Sequence, residues 1–385
     1  MTEAGRDLLG TSAAAPRVLL VGPLPPPAGG MANQCEQLSA RLRSEQVPVE
    51  VVRTNAPYRP AFVGRVSMLR AAFRLLPYVW RLDRALRRND VVHLMANSGW
   101  AWHLFAAPVL WLARWHGVPV ILNYRGGEAA AFFASAPRHV FAAMRGAAAR
   151  VVPSGFLQRV FGDYALDTTV IPNLVDLSRF EPRPWREPGP TPRLLVARHL
   201  EAIYGIGTVL RAFATIRAEW PGARLTVAGD GPERESLQRL SHELGVGDAV
   251  VFCGRKSNAE MPALYADADL VLNASEVDNM PISLLEAMAS GVPFVSSAAG
   301  GIPDMVDDGR TGLLAPVGDA SALADKALQL LRDPQRARRQ ALEGIEEARR
   351  YAWERIGPMW RTAYQEAAAR GPHGLDSMND RLAGN

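Results

Sequence analysis

The chain has 385 residues, 48% of them hydrophobic and 21% charged, with a formal net charge of +4 at pH 7. With roughly 150 residues as the ordinary domain size, that is enough apolar material for two cores, and so mild a positive excess gives no reason to expect a nucleic-acid partner. The two cysteines, Cys35 and Cys253, lie far apart and outside metal-ligand spacing; this excludes a disulfide framework, makes neither a candidate nucleophile and fits a reducing cytoplasm.

Residues 1–16 carry Glu3 and Asp7 and no apolar h-region, so they are expected to be a disordered tail and not a secretory signal. From residue 17 short β-branched runs alternate with longer helical patterns, the rhythm of βα units building a parallel sheet covered by helices. The predicted strands of the first half are 17–22, 49–53, 90–94, 118–124, 150–153 and 169–171. The first runs on to Gly29 and Gly30, just before a helix expected from Met31. Backbone amides at such a helix start can hold a phosphate or polar sugar, although a glycine pair merely making a turn fits equally well.

Arg65, Arg70, Arg74, Arg81, Arg84, Arg87 and Arg88 then fall among Leu, Phe, Tyr and Trp. That pattern predicts a basic amphipathic helix, suited to anionic lipid or a phosphorylated acceptor, or equally to the solvated face of a packed helix. His93, after the third strand, and Glu128 are candidates for the acceptor side; a satisfied polar residue at a strand end is the plainer account of His93. The apolar stretch Trp100 to Trp115 contains His103 and Arg114 and is shorter than the ~20 residues of a membrane span, so a buried or interfacial helix is expected.

A Pro-rich stretch at 181–192, EPRPWREPGPTP, stops either regular element from continuing and marks a linker between domains 17–180 and 193–353. Beyond it the pattern restarts, with strands predicted at 193–197, 223–228, 250–252, 270–273 and 293–296. Two doubly wound α/β domains are implied, and sheets of this kind bind ligands outside the carboxyl ends of their strands.

Gly229 to Pro232, GDGP, makes a βα turn in which Gly229 and Gly231 are candidates for holding the donor nucleotide; it is neither GxGxxG nor followed by a ribose-binding acid of the dinucleotide type, which disfavours a nicotinamide enzyme. Phe252 to Lys256 ends a strand and places backbone, Arg255 and Lys256 where a planar base can be held. The most informative loop follows 270–273: Asp278, Asn279, Met280 and Pro281 lead into a helix whose first amides, near Ile282 and Ser283, point at an anion. Glu286 follows Asp278 by eight residues, about two turns, so both acids can face the cleft. A carboxylate behind such a helix start is placed to accept hydrogen bonds from two ribose hydroxyls.

Together with EAMASGVPFV, GGIPDMVDDGRTGLL, IPNLVDLSRF and Arg198, these motifs resemble the retaining glycosyltransferases of family 4, over most of residues 17–370 and most strongly in the second half. The resemblance implies a GT-B fold, with two Rossmann-like doubly wound parallel-sheet domains facing across a cleft and a C-terminal helix, about 354–370 and interrupted near Pro358, crossing back to the first domain; 371–385 would be a tail. It further implies Arg198 on the donor pyrophosphate, Asp278 near the donor sugar, Glu286 on the ribose, and a metal-independent front-face transfer in which the leaving phosphate takes the acceptor proton. Asp267-Ala268-Asp269 looks like the metal-binding DxD of another glycosyltransferase fold, but lies between a helix and a strand. Two departures stand out. The family's lysine six residues after the arginine is Tyr204, followed by Gly205, and Arg125 takes the place of its first-domain histidine, so Arg125 or Lys256 is expected to supply the second cation.

The expected activity is thus hexosyl transfer from a nucleotide-sugar, UDP-sugar by frequency and no other cofactor, to a lipid-linked or polysaccharide-precursor acceptor, in the cytoplasm or at the inner membrane face. The alternatives are a soluble natural-product transferase, a nucleotide-sugar epimerase of the same fold and a non-catalytic two-domain binding protein.

Overall fold

The computed structural model describes residues 15–26, 29–56 and 67–370. Arg65, most of the expected N-terminal tail and all of the expected C-terminal tail lie outside the described residues.

The first domain alternates β1 (Val18–Gly22), α1 (Gly30–Ser44), β2 (Val49–Arg53), α2 (Ser67–Leu86), β3 (Val91–Ala96), α3 (Ala107–His116), β4 (Val120–Tyr124), α4 (Ala129–Ser135), α5 (Arg138–Arg145), β5 (Ala149–Val152), α6 (Gly155–Gly162) and β6 (Thr169–Val170). Its six strands are parallel, in the order β2-β1-β3-β4-β5-β6. Burial on both faces explains why β1, VLLVG, and β3, VVHLMA, read as unbroken apolar runs without alternation. The Trp100 to Trp115 stretch forms a π-helical turn, Trp102–Ala106, followed by α3: Trp102 is buried, while Trp100, Trp111 and Trp115 are exposed. Among the described residues no helix is long and apolar enough to cross a membrane.

No regular element lies between Val170 and Arg193. The Pro-rich segment is instead pinned to the second domain by Trp185, packed against its core, and by Arg186, whose Nε donates to Asp269 Oδ1 at 2.9 Å. The second domain follows as β7 (Arg193–Ala197), α7 (Ile206–Glu219), β8 (Arg224–Ala228), α8 (Arg234–Glu243), β9 (Val250–Gly254), α9 (Met261–Asp267), β10 (Leu270–Asn273), α10 (Ile282–Ala289), β11 (Phe294–Ser297), α11 (Ile302–Met305), β12 (Leu313–Ala315), α12 (Ala320–Arg332) and α13 (Pro334–Ala348). Its parallel sheet runs β12-β11-β10-β7-β8-β9.

The last helix, α14 (Trp353–Arg370), returns to the first domain, where Trp353, Ile356, Trp360 and Tyr364 pack with Val18, Leu20, Val91 and Ile121. It is not interrupted: Pro358 sits inside a continuous helix. Proline costs the Glu354 carbonyl its helical donor, but burial of the residues on either side of it holds the helix through that defect.

Candidate functional site

In each sheet the strand order reverses at one point, between β1 and β3 in the first and between β7 and β10 in the second. Loops leaving the carboxyl ends there diverge to opposite faces and open a crevice. In the first domain the loop after β1 leads to Gly29 and Gly30; in the second, Arg198 leaves β7 and the Asp278 loop leaves β10. The sites therefore face each other because topology puts them there.

Between the domains lies a cavity of about 170 Å³ that brings together Gly29, Gly30, Arg198, Tyr204, Gly229, Arg255, Lys256, Ile282, Ser283 and Glu286. A Cβ on Gly29 would stand 3.5 Å from His199 Nε2, and one on Gly30 3.5 Å from Ile282 Cδ1, so this helix start lies in van der Waals reach of the second domain. Helix α10 starts at Ile282, directly after Pro281, one residue later than a proline in its first turn would imply. Its first amides have no acceptor within the helix and line the cavity. Ser283 Oγ is buried there without a protein partner among the described residues.

Glu286 is buried on α10, where Tyr265 donates its hydroxyl to Oε2 at 2.9 Å. Burial pushes its carboxyl up to about 7, with the Tyr265 hydrogen bond and Arg179 opposing. One oxygen is thus held by the tyrosine, and the group is oriented for a ligand that donates hydroxyls to the other.

Arg198 is fixed on three sides. It pairs with Asp278, Nη2 donates to Ser275 Oγ at 3.1 Å, and its guanidinium carbon lies 4.2 Å from the centre of the Tyr204 ring. Tyr204, standing where a lysine was expected, adds a cation–π face in place of a charge. Behind Ser275 runs a buried relay: its hydroxyl donates to Asn273 Oδ1 at 2.9 Å, and Asn273 Nδ2 donates to Ser296 Oγ at 2.9 Å. Sequence reasoning missed these positioning residues, because small polar side chains at strand ends look like turn formers.

The Asp278 loop is held from both domains. Asn279 Nδ2 donates to the Gly126 carbonyl at 2.9 Å, and Asn173 Nδ2 to the Met280 carbonyl at 2.8 Å. From below, Gly301 N donates to the Asp278 carbonyl at 2.9 Å; a Cβ on Gly300 or Gly301 would overlap that backbone. The glycine-rich loop after β11 is therefore a buttress for the acidic loop.

Two family models match the chain, one described as "Glycosyl transferases group 1" over residues 178–347 and one as "Glycosyltransferase Family 4" over 28–179. The chain belongs to the family 4/1 glycosyltransferases of GT-B fold. Among relatives of this glycosyltransferase, the N-acetyl-alpha-D-glucosaminyl L-malate synthase of Bacillus anthracis is 38% identical over 161 residues, 41% of each chain. The GDP-mannose-dependent alpha-(1-6)-phosphatidylinositol monomannoside mannosyltransferase of Mycobacterium tuberculosis is 33% identical over 182 residues, 43% of this chain and 47% of its own. These matches span less than half of either relative's length. The Mycobacterium tuberculosis glycogen synthase is 31% identical over 289 residues, 71% of this chain and 67% of its own. In fold, the Anabaena protein HepE, crystallised with UDP and glucose, superposes with a TM-score of 0.69 at 19% identity, over 91% of this chain and 99% of its own.

Within the glycosyltransferase, the remaining predicted residues divide. Arg125 and Glu128 line a neighbouring cavity with Arg198, Asn279 and Met280. Arg125 donates to Asn173, and burial pulls its guanidinium down to about 10. Gly231 lies outside the Glu286 cavity, in the next one, and Gly229 and Gly231 serve the fold: Cβ atoms there would strike the carbonyls of Arg198 and Leu200, and both amides already have acceptors, Gly254 O and Asp230 Oδ1. Neither is free to hold a phosphate through its N–H.

His93 is not on the acceptor side. It sits inside β3, fully buried, its ring 4.4 Å from Trp360, with Nδ1 2.7 Å from the Tyr364 hydroxyl and Nε2 2.9 Å from Asn123 Nδ2. Burial and the nearby Arg125 hold it well below the ordinary histidine range. It joins α14 to the first sheet. Asp267 and Asp269 are engaged by Arg193 and Arg186, and burial pushes the Cys35 thiol up to about 12, leaving it inert.

Proposed function

We propose that this glycosyltransferase moves a hexosyl group, with retention of anomeric configuration and without a metal, from a nucleoside-diphosphate sugar to a hydroxyl of a lipid-linked or polysaccharide-precursor acceptor. The observation that carries this reading is one cavity holding a buried carboxylate, a helix N-terminus and three cations, Arg198, Arg255 and Lys256, from one domain against the glycine-bearing helix start of the other. A ribose fits the carboxylate, and a diphosphate fits the helix amides and guanidinium.

In the transfer, the bond from the anomeric carbon to the leaving phosphate oxygen breaks. The acceptor oxygen bonds to the same face, and its proton passes to that phosphate oxygen. The residues then have electrostatic work only. Arg198, the α10 amides and Lys256 stabilise the charge developing on the diphosphate, while Asp278 stands where the sugar hydroxyls arrive and can take them as Arg198 turns to the phosphate. UDP is the favoured base carrier, although relatives are named for more than one donor. The likeness to a synthase named for L-malate favours a second reading, a small anionic acceptor.

A melting-temperature screen with UDP, GDP, ADP, CMP and dTDP tests the donor site, since a nucleotide that binds the folded protein raises its melting point by mass action. Stabilisation by UDP is expected; stabilisation by none of the five sinks the transferase reading. Incubation with the stabilising nucleotide's sugars without acceptor separates the epimerase alternative, which would invert C2.

A further inference from the structure

The first domain carries a surface that the donor cleft does not use. Helices α2 and α3 lie side by side on the sheet, joined by the Tyr78 and Phe105 rings 5.5 Å apart and by His116 Nε2 to Asp83 Oδ1 at 2.7 Å. Helix α2 turns Tyr78, Leu82, Ala85 and Leu86 inward and leaves Leu76 and Trp80 outside; α3 buries Val109, Leu110 and Ala113 and leaves Trp111 and Trp115 outside. With Trp100 just before the π-helical turn, these five side chains are 60–79% exposed and include every exposed tryptophan among the described residues.

Charge is concentrated in the same place. Residues 67–116 contain seven arginines and two aspartates, a net of +5, whereas the whole chain carries +4. Arg84 stacks over the Trp80 ring at 5.4 Å, and Arg81, Arg84 and Arg88 line a groove beside it. Tryptophan with arginine is the composition of a side chain layer that sits at the boundary between lipid and water, ring among the acyl carbons and cation among the phosphates.

We infer that the outer face of α2 and α3 docks on an anionic lipid bilayer. A second copy of the chain is a poor occupant, because it would set Arg81 and Arg84 of one copy against those of the other, whereas an anionic surface complements the charge and takes up the rings. The orientation serves catalysis. Arg74, from α2, and Ala101, Phe105 and Ala106, from the π-helical turn and the residue before it, line a cavity of about 600 Å³ that also contains Gly29, Gly30, His199 and Arg255 and so adjoins the donor cavity. A chain docked on this face holds that opening beside the headgroup layer, where the hydroxyl of a membrane-borne acceptor can enter.

Sedimentation with phosphatidylcholine vesicles, with and without phosphatidylglycerol, tests this on the full chain. Binding to the phosphatidylglycerol vesicles that falls with salt is expected, with little binding to phosphatidylcholine alone. Arg81→Ala with Arg84→Ala should weaken it about fivefold per arginine. Trp80→Ala, Trp111→Ala and Trp115→Ala should each lower it further, with unchanged melting points and nucleotide response, since the rings are exposed. Absence of binding to anionic vesicles, or binding indifferent to all five substitutions, overturns the proposal. So does a concentration-dependent dimer, without vesicle binding, that the tryptophan substitutions dissolve. None of these outcomes depends on transferase activity, so failure here and failure of the donor reading are separately visible.

Discussion

Substitution of Glu286 by glutamine should strengthen the empty protein and weaken its hold on nucleotide. In the fold, burial raises the carboxyl from its ordinary 4.5 to about 7. The folded state therefore binds a proton more tightly than the unfolded chain. Stability is full below pH 4.5 and is lost as pH rises through about 7, where the gap amounts to about 3 kcal/mol. Glutamine cannot ionise, and its amide oxygen can still accept the Tyr265 hydroxyl, so E286Q removes the penalty and keeps the hydrogen bond. Melts of wild type and variant without ligand should nearly coincide at pH 4.5 and separate as pH rises. At pH 8 the variant should melt higher by roughly 2–4 °C per kcal/mol. Titration with UDP should show the opposite sign, because an amide offers a ribose no charged acceptor, and a hydrogen bond to a charged group is worth about 1.5–3 kcal/mol, or about ten- to a hundredfold in affinity. A melting difference that stays constant from pH 4.5 to 8 would refute the claim that Glu286 is a desolvated carboxylate. Unchanged affinity would refute its place on the nucleotide.

Arg198→Ala should lower turnover about a hundredfold or more, the usual cost of one preorganised donor to a developing anion, with a smaller change in KM. Ser275→Ala removes both the 3.1 Å hydrogen bond that orients Arg198 and the 2.9 Å bond to Asn273 Oδ1; a loss of about 1 kcal/mol in kcat/KM is expected, restored by Ser275→Thr, and a loss of melting temperature alone would assign the relay to folding. Lys256→Ala should weaken UDP binding, and Arg125→Ala should lower turnover with the nucleotide still bound, as read by calorimetry and initial rates; unchanged UDP affinity in the first would remove Lys256 from the cation role, and unchanged turnover in the second would remove Arg125. His93→Ala should cost about 1–3 kcal/mol in stability and leave nucleotide affinity unchanged, whereas an acceptor-specific rise in KM would return it to the cleft.

The strand pattern was legible because parallel strands buried on both faces are short β-branched runs that helices separate, and the eleven runs predicted reappear in the two sheets, which β12 (Leu313–Ala315) completes. Glu286 was legible for a related reason: an acid inside LLEAMA has no solvent face, so its burial demands a purpose. What the sequence left open depends on contacts between distant segments. His93 reads as a strand-end histidine until α14 folds back from 271 positions away and sets Tyr364 against it. Gly229 and Gly231 read as phosphate-binding glycines until the carbonyls of Arg198 and Leu200 are seen to occupy the space a Cβ would need. Pro358 reads as a break because local propensity argues for one, and the burial of Trp353, Ile356 and Trp360 overrides it.

Tyr204 shows how a departure from the family pattern is absorbed. Losing a lysine beside the diphosphate removes one positive charge from the cavity, yet the aromatic ring in its place lies against Arg198, which Asp278 and Ser275 hold from the other sides. The clamp has a consequence for the order of events. On the proposed donor reading, Arg198 paired with Asp278 would offer the diphosphate little charge until sugar hydroxyls drew Asp278 away. Donor sugar and leaving group would then be coupled through one ion pair, and a free nucleotide, which lacks the sugar, should not engage Arg198 as fully as the intact donor does.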